Sequence, residues 1–442
     1  MGYFYLLMLG IQNLTDMKRV NRKQPPIIQQ VDTIVLPKVQ AYALDNGIPV
    51  YALTSGTQEV LKLELVFDAG RPKEVKKGVS RATMDMLKEG TSTRLNKEIS
   101  AQVDYFGTYI GTQFNLDNNT IGFYCLKKYF KALLPILADI IFDPIFPEEE
   151  LNAWRDNAKQ KLKVDLERSD VVAYRVLTEQ IFGANHAYGY NSSTQVFDAI
   201  KRADLVEHYK RNYTASNCKI FLTGKVDDGV VNLVNQHFGK PFGMNTKVND
   251  VLSWVPKSPQ VSKINMKAEL QSSVRMGMRL FNKAHEDYKD LYVMNQLFGG
   301  YFGSRLMMNI REEQGLTYNI YSSIDPFRYD GYFYIGSDTS AENVGQVVDS
   351  IFHEMEHLKS DPVSTDELDM LRNYLMGSFL AMLDGPFNAG EVVKSYLTED
   401  LEMADFEALI NKVRTINQEE IMAMANKYLN PSDFEQVIVG NP

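Results

Sequence analysis

Alternation of apolar and polar positions is the first signal along the chain. Residues 40–53, "QAYALDNGIPVYAL", hold two short alternating runs around Asn46-Gly47, a strong hairpin signature. Residues 59–70, "EVLKLELVFDAG", read as a third strand, and residues 109–126, "YIGTQFNLDNNTIGFYCL", as a second hairpin turning at "LDNN". Helical periodicity dominates the remainder. Adjacent hairpins followed by clustered helices predict an α+β fold, an antiparallel-rich sheet with helices packed on one face.

The pattern then recurs. Residues 199–226 and 415–442 share a helix followed by a short apolar strand ending at glycine. Ile200 matches Ile416, Leu205 matches Ile421 and Gly224 matches Gly440, each at an offset of 216. Residues 86–115 parallel 296–325: a helix end, a glycine, a polar turn, an Arg-Leu pair, a second helix and a strand. Residues 128–157 parallel 342–371, each an amphipathic helix, a turn and an acidic helix start. The chain therefore reads as a tandem duplication of a unit of roughly 200 residues, within the size of a domain. We expect an N-terminal extension (1–30), a first domain (31–240), a Gly/Pro/Asn-rich linker (241–262) and a second domain (263–442).

Bulk properties narrow the function. A chain of 442 residues exceeds one ordinary core. Net charge is −9, which argues against a nucleic-acid partner. Cys125 and Cys218 sit in apolar strand-like runs and read as buried thiols, not as a disulfide framework. The apolar run at residues 3–9 has no preceding basic residue and is too short to span a bilayer. We read it as neither signal nor anchor, and Met17 as an equally plausible start to Met1. A cytoplasmic chain without a membrane span is the expectation.

One motif suggests chemistry outright. His353, Glu354, Met355, Glu356 and His357 satisfy both H-E-x-x-H and the inverted H-x-x-E-H, helix patterns that pair two zinc-binding histidines with a water-activating Glu. The same helix has an apolar stripe of Val344, Val347, Val348, Ile351, Met355 and Leu358. That stripe puts His353 and His357 on the outward side with Gln346 and Ser350. A third ligand would have to be supplied by a residue such as Glu367, itself ordinary helix-start chemistry. We therefore expect no metal at this motif.

A resemblance points elsewhere. "NGIPVY", "MLKEGT", "DPIFPEEEL" and above all "FGGYFGSRLMMNIREEQGLTY" make the chain resemble the pitrilysin, insulysin and mitochondrial processing peptidase family of inverted zincins, over nearly its whole length. The likeness is to the small bacterial members with two homologous domains. In active members the zinc motif lies just before the "GT" of the first domain. Here its two His and its Glu fall on Arg81, Asp85 and Met84, and the distal Glu ligand falls near Lys161. Arg81 would repel a cation and Met84 cannot move a proton. The family's C-terminal Arg and Tyr, seven residues apart, match Arg311 and Tyr318.

The resemblance implies a catalytically incomplete subunit of a heteromeric zinc-dependent peptidase. This chain would carry no metal or cofactor of its own. A homologous zinc-carrying partner would bind the peptide substrate, and Arg311 and Tyr318 would act in trans on substrate and oxyanion. Two alternatives stand beside it: a self-sufficient zinc peptidase using the His353–His357 segment, and a non-enzymatic scaffold in which Arg311 pairs with Glu312 or Glu313 and Tyr318 is a half-buried strand aromatic.

Overall fold

The Asn46-Gly47 turn forms as the alternation predicts. In the computed structural model β1 (Gln40–Ala43) pairs antiparallel with β2 (Pro49–Thr54), and Gly47 takes φ +86°, a conformation glycine adopts without steric cost. The structure describes residues 31, 33–243, 254–255, 257–266 and 271–441; the expected N-terminal extension and residues 244–253 of the expected linker lie outside them. Val35–Pro442 is one compact unit.

The first sheet continues with β3 (Val60–Phe67), β4 (Ile110–Phe114), β5 (Asn119–Leu126) and β6 (Cys218–Gly224), in the order β1-β2-β6-β3-β5-β4. Only the β2–β6 pairing is parallel. Its helices are α1 (Val79–Met86), α2 (Asn96–Tyr105), α3 (Phe130–Phe142), α4 (Glu148–Asp165), α5 (Ser169–Phe182), α6 (Thr194–Ala199), α7 (Arg202–Asn212) and α8 (Asp228–Phe238). The second sheet is built from β7 (Val261–Asn265), β8 (Gln271–Leu280), β9 (Thr317–Pro326), β10 (Gly331–Ser340) and β11 (Glu435–Gly440), in the order β7-β11-β8-β10-β9. With it come α9 (Tyr288–Asn295), α10 (Val344–Ser360), α11 (Thr365–Met382), α12 (Gly385–Thr398), α13 (Met403–Thr415) and α14 (Gln418–Tyr428).

The duplication is visible in the element limits. α7 and α14 are both 11 residues long and start 216 apart. α4 and α11 are both 18 residues, and α5 and α12 both 14. Each sheet buries one face under its own helices. On the first, Leu61, Leu63, Leu65 and Phe67 of β3 enter a core shared with Val79, Leu133, Ile140 and Leu205.

The other face of each sheet is covered by a helix from the opposite half. α12 packs on β6, joining Val393 to Val66 and Phe221. α5 packs on β8 and β11, joining Ala173, Leu177 and Ile181 to Tyr332, Val437 and Val439. Gly277 permits this approach: a Cβ there would lie 3.2 Å from Ile181 and Leu177 side chains and 2.7 Å from the Phe333 carbonyl oxygen. The reciprocal contact needs Gly390, whose added Cβ would come 2.7 Å from Thr223 Oγ1.

This exchange buries charge. Lys62 and Glu64 occupy the alternate positions of β3 and are 5% and 7% exposed. They meet Glu391 and Lys394 of α12: Lys62 Nζ lies 2.8 Å from Glu64 Oε2 and also pairs with Glu391, and Lys394 Nζ lies 2.6 Å from Glu64 Oε1 and 2.8 Å from Glu391 Oε2. Two cations and two anions alternate, so each charge taken from water has opposite neighbours.

Candidate functional site

Arg311 and Tyr318 fall on neighbouring elements of the second half. The helix after Ser304 widens into a π-helical segment, Met307–Glu313, which ends at Gly315 with φ +65° and turns into β9. Such local widening is frequent where a side chain has to be aimed. β9 is the edge of its sheet, so one side of its backbone is unpaired. Arg311 and Tyr318 line one open depression of about 630 Å3 together with Gln271, Leu316 and Ser340.

Tyr318 is 84% exposed, and its hydroxyl has no hydrogen-bond partner among the described residues. A strand aromatic kept for packing is half-buried; this one is not. Arg311 is partly exposed. Its guanidinium lies 5.4 Å from the ring of Phe302, itself 61% exposed, and Nη1 is 3.2 Å from Glu312 Oε1. An exposed pair of adjacent residues is weak and exchanges readily with another acceptor.

The window of the first half where the resemblance implies a metal does not fit one. Met84 is fully buried in the sheet-facing core, its sulfur 3.5 Å from the Tyr213 hydroxyl, which donates to it. Arg81 Nε lies 3.6 Å from Asp85 Oδ2, and that oxygen also accepts from Trp154 Nε1 at 2.9 Å. Asp85 is thus occupied by two donors, one cationic. Lys161 lines the same cavity as Arg81. A zinc ion here would meet two positive side chains, one thioether turned away and one carboxylate already engaged.

The His353–His357 segment forms the outward face of α10, as its stripe predicts. His353 and His357 side chains are 66% and 50% exposed, with ring centroids 4.4 Å apart. Glu354 lies on the flank beside them, its Oε1 3.9 Å from His353 Nδ1, and is 5% exposed, with Oε2 buried and unpartnered among the described residues. Its burial departs from the expected wholly apolar inner face. Glu367, the third ligand considered, is held by Arg305 through Nε at 2.8 Å and Nη2 at 3.1 Å. Among the described residues no three His, Cys, Asp or Glu side chains are grouped to hold a metal.

Two features escaped the sequence reading. Glu74 sits before α1 and accepts from Ser80 N (2.8 Å), Gly78 N (3.1 Å) and the Tyr190 hydroxyl (2.6 Å). Burial pushes its carboxyl up to about 7 in spite of those donors and nearby Arg71. The second is the cavity of about 250 Å3 beside α1, where Arg71, Arg81, Lys161 and Arg175 converge. Neither has a local motif, because the contributing residues are spread over about 100 positions.

Comparison with known proteins places the two halves of the chain beside peptidase domains. A family model described as "Insulinase (Peptidase family M16)" matches residues 50–189, and one described as "Peptidase M16 inactive domain" matches residues 199–375. The "Uncharacterized zinc protease YmxG" of Bacillus subtilis is 23% identical, covering 88% of this chain and 95% of that one. The "Probable inactive metalloprotease YmfF" of the same organism is 22% identical, covering 68% and 73%. Among solved structures, a peptidase M16 inactive domain from Pseudomonas fluorescens superposes with a TM-score of 0.82 at 23% identity, over 91% of this chain and 98% of that one. A protease from Helicobacter pylori superposes with a TM-score of 0.84 at 16% identity, over 92% and 100%.

Proposed function

This chain belongs to peptidase family M16, and we propose that it is a catalytically incomplete subunit that lends Arg311 and Tyr318 to a homologous zinc-carrying partner. The observation that carries the reading is Tyr318, 84% exposed and with its hydroxyl unpartnered among the described residues, on the same open depression as Arg311. An α1 window poor in metal-ligating side chains in the same chain supports it: Arg81, Met84 and Asp85 cannot replace two histidines and a proton-moving Glu.

In this reading the partner's zinc supplies the Lewis acid. Tyr318 donates its hydroxyl proton in a hydrogen bond to the oxygen that becomes negative as a peptide carbonyl is attacked. Arg311 exchanges Glu312 for a substrate carbonyl and holds the peptide in register. A cytoplasmic heterodimer, with domains at 31–240 and 263–442, belongs to the same proposal. Among the described residues no helix is long and apolar enough to cross a membrane.

The test is peptide cleavage by a complex reconstituted with a fixed amount of wild-type partner. Tyr318→Phe should lower turnover by ~10²-fold, the lower end for loss of one oxyanion donor, because a metal also polarises the carbonyl. Arg311→Ala should raise KM or lower turnover. Neither variant should change the metal content of the complex or its assembly. The Arg311–Glu312 contact favours a second reading, a scaffold without catalytic duty. Full activity of both variants would establish that reading instead.

A further inference from the structure

Beside α1 lies a cavity whose charge is opposite to that of a metal site. Arg71 enters it from the turn before α1, Arg81 from α1, Lys161 from α4 and Arg175 from α5; Asp165 is the one acidic residue on its lining. Carboxylates also stand near three of these cations. Asp85 is 3.6 Å from Arg81 Nε, and Glu74 neighbours Arg71. Glu179 faces Arg175 but accepts from Asn191 Nδ2 at 3.0 Å.

The guanidinium groups are oriented with donors to spare. Arg71 stacks on the Tyr190 ring at 4.2 Å and gives Nη1 to the carbonyls of Ala187 (3.3 Å) and Tyr190 (3.1 Å). Its Nε is buried without a partner among the described residues. Arg175 gives Nη2 to the Ser192 carbonyl at 2.6 Å. Burial, with the Arg71 charge beside it, holds Arg175 below the ordinary arginine range. Two arginines fixed by carbonyls and crowded together, Arg71 with its Nε unpartnered among the described residues, form a receptor for a planar anion. The remaining wall is aromatic, from Tyr174, Tyr188, Phe197 and Phe327.

We propose that this cavity binds the C-terminal residue of a peptide, its carboxylate against Arg71, Arg81, Lys161 and Arg175 and its side chain against the aromatic wall. The proposal rests on the peptide-handling reading of the chain. Size sets the ligand: about 250 Å3 is below the ~300–1,000 Å3 of ordinary small-molecule pockets, so one residue enters and not a whole peptide. Charge sets its valence. With Asp165 on the lining and Asp85 behind Arg81, a monoanion is favoured over a phosphate dianion.

Calorimetry on the purified chain without any partner tests this. The probes are acetyl-Ala-Ala-Phe with a free carboxylate, the same peptide as C-terminal amide, 3-phenylpropionate and inorganic phosphate. The peptide acid should bind at least ~10-fold more tightly than each of the other three. Lys161→Glu and Arg81→Gln, both on partly or fully exposed side chains, should each weaken it by ~10-fold or more with an unchanged unfolding midpoint. Equal binding of acid and amide, wild-type affinity in both variants, or no binding by the peptide acid would overturn the proposal. So would phosphate or 3-phenylpropionate matching the peptide acid, since the ligand would then be a free anion. Because no cleavage is measured, this result is independent of the Arg311/Tyr318 assay.

Discussion

Replacing Glu74 by Gln isolates a contest between burial and hydrogen bonding around one carboxyl. The group accepts from two backbone amides at the start of α1 and from Tyr190, and it lies near Arg71; all four favour the ionised form. Burial opposes them and wins, raising the carboxyl from 4.5 to about 7. Between those values the folded chain holds a proton that the unfolded chain has released. The stabilisation is complete below the unfolded pKa and is lost as pH rises through 7. A gap of about 2.5 in pKa corresponds to ~3 kcal/mol as a ceiling. Glutamine imitates the protonated group, so its variant lacks this dependence. Urea unfolding of both proteins at about pH 5 and pH 8 reads the effect as a difference of differences, in which every other titrating group cancels. Wild type should lose ~2–3 kcal/mol relative to Glu74→Gln on going from the acid to the alkaline condition. A gap that is the same at both pH values would show that the donors match the burial, and a gap of the opposite sign that they outweigh it.

Three further outcomes follow from named contacts. His208 is buried, with Nε2 on the Ala69 carbonyl at 3.1 Å and Nδ1 facing Asn212 Nδ2 at 3.1 Å; burial lowers its pKa to about 4, so NMR should find the ring neutral down to that pH. Its contribution is present above the unfolded pKa and lost as pH falls from 6.5 towards 4, opposite in sign to that of Glu74. Glu64→Gln strands Lys62 and Lys394 beside a single remaining carboxylate and should cost ~3 kcal/mol in urea unfolding, whereas a loss under ~1 kcal/mol would mean that water reaches the cluster. His353→Ala with His357→Ala removes two exposed rings and should change stability by no more than ~0.5 kcal/mol and leave zinc content unaltered; zinc bound by wild type and lost in this double variant would install the self-sufficient peptidase.

Much of the fold was legible because its signals are local. Asn46-Gly47 demands a tight turn, "LDNN" a second, and the 216-residue offset recovered α7 with α14 to the residue. The exchange of α5 and α12 was not legible. Lys62 and Glu64 alternate with leucines and so mark a face that reads as solvated; only the partner charges on α12, more than 300 positions away, allow both to be buried. Glu354 escaped for a related reason, since a helical period assigns it to a flank and packing decides whether a flank is covered. In the candidate site, the sequence pattern could name Arg311 and Tyr318 but not their exposure. That exposure depends on the π-helical widening and on β9 lying at a sheet edge.

The two halves of the chain have diverged in what their cavities can hold. A metal slot that had merely decayed would be filled with small or apolar side chains. Here each position has a new physical assignment. Met84 packs with Tyr213 in the core, Arg81 and Asp85 form a polar step to Trp154, and Lys161 faces the same cavity as Arg81. Arg71 and Arg175 then add charge from segments that a zinc site would not require. The arrangement costs desolvation, visible in Arg175, which the Ser192 carbonyl and nearby Glu179 offset in part. On the opposite half, Tyr318 stands on an open surface with its hydroxyl unpartnered among the described residues, where packing alone gives no reason for it. A cationic recess in one half and an exposed Arg/Tyr pair in the other are the two features on which the proposed peptide-holding role rests.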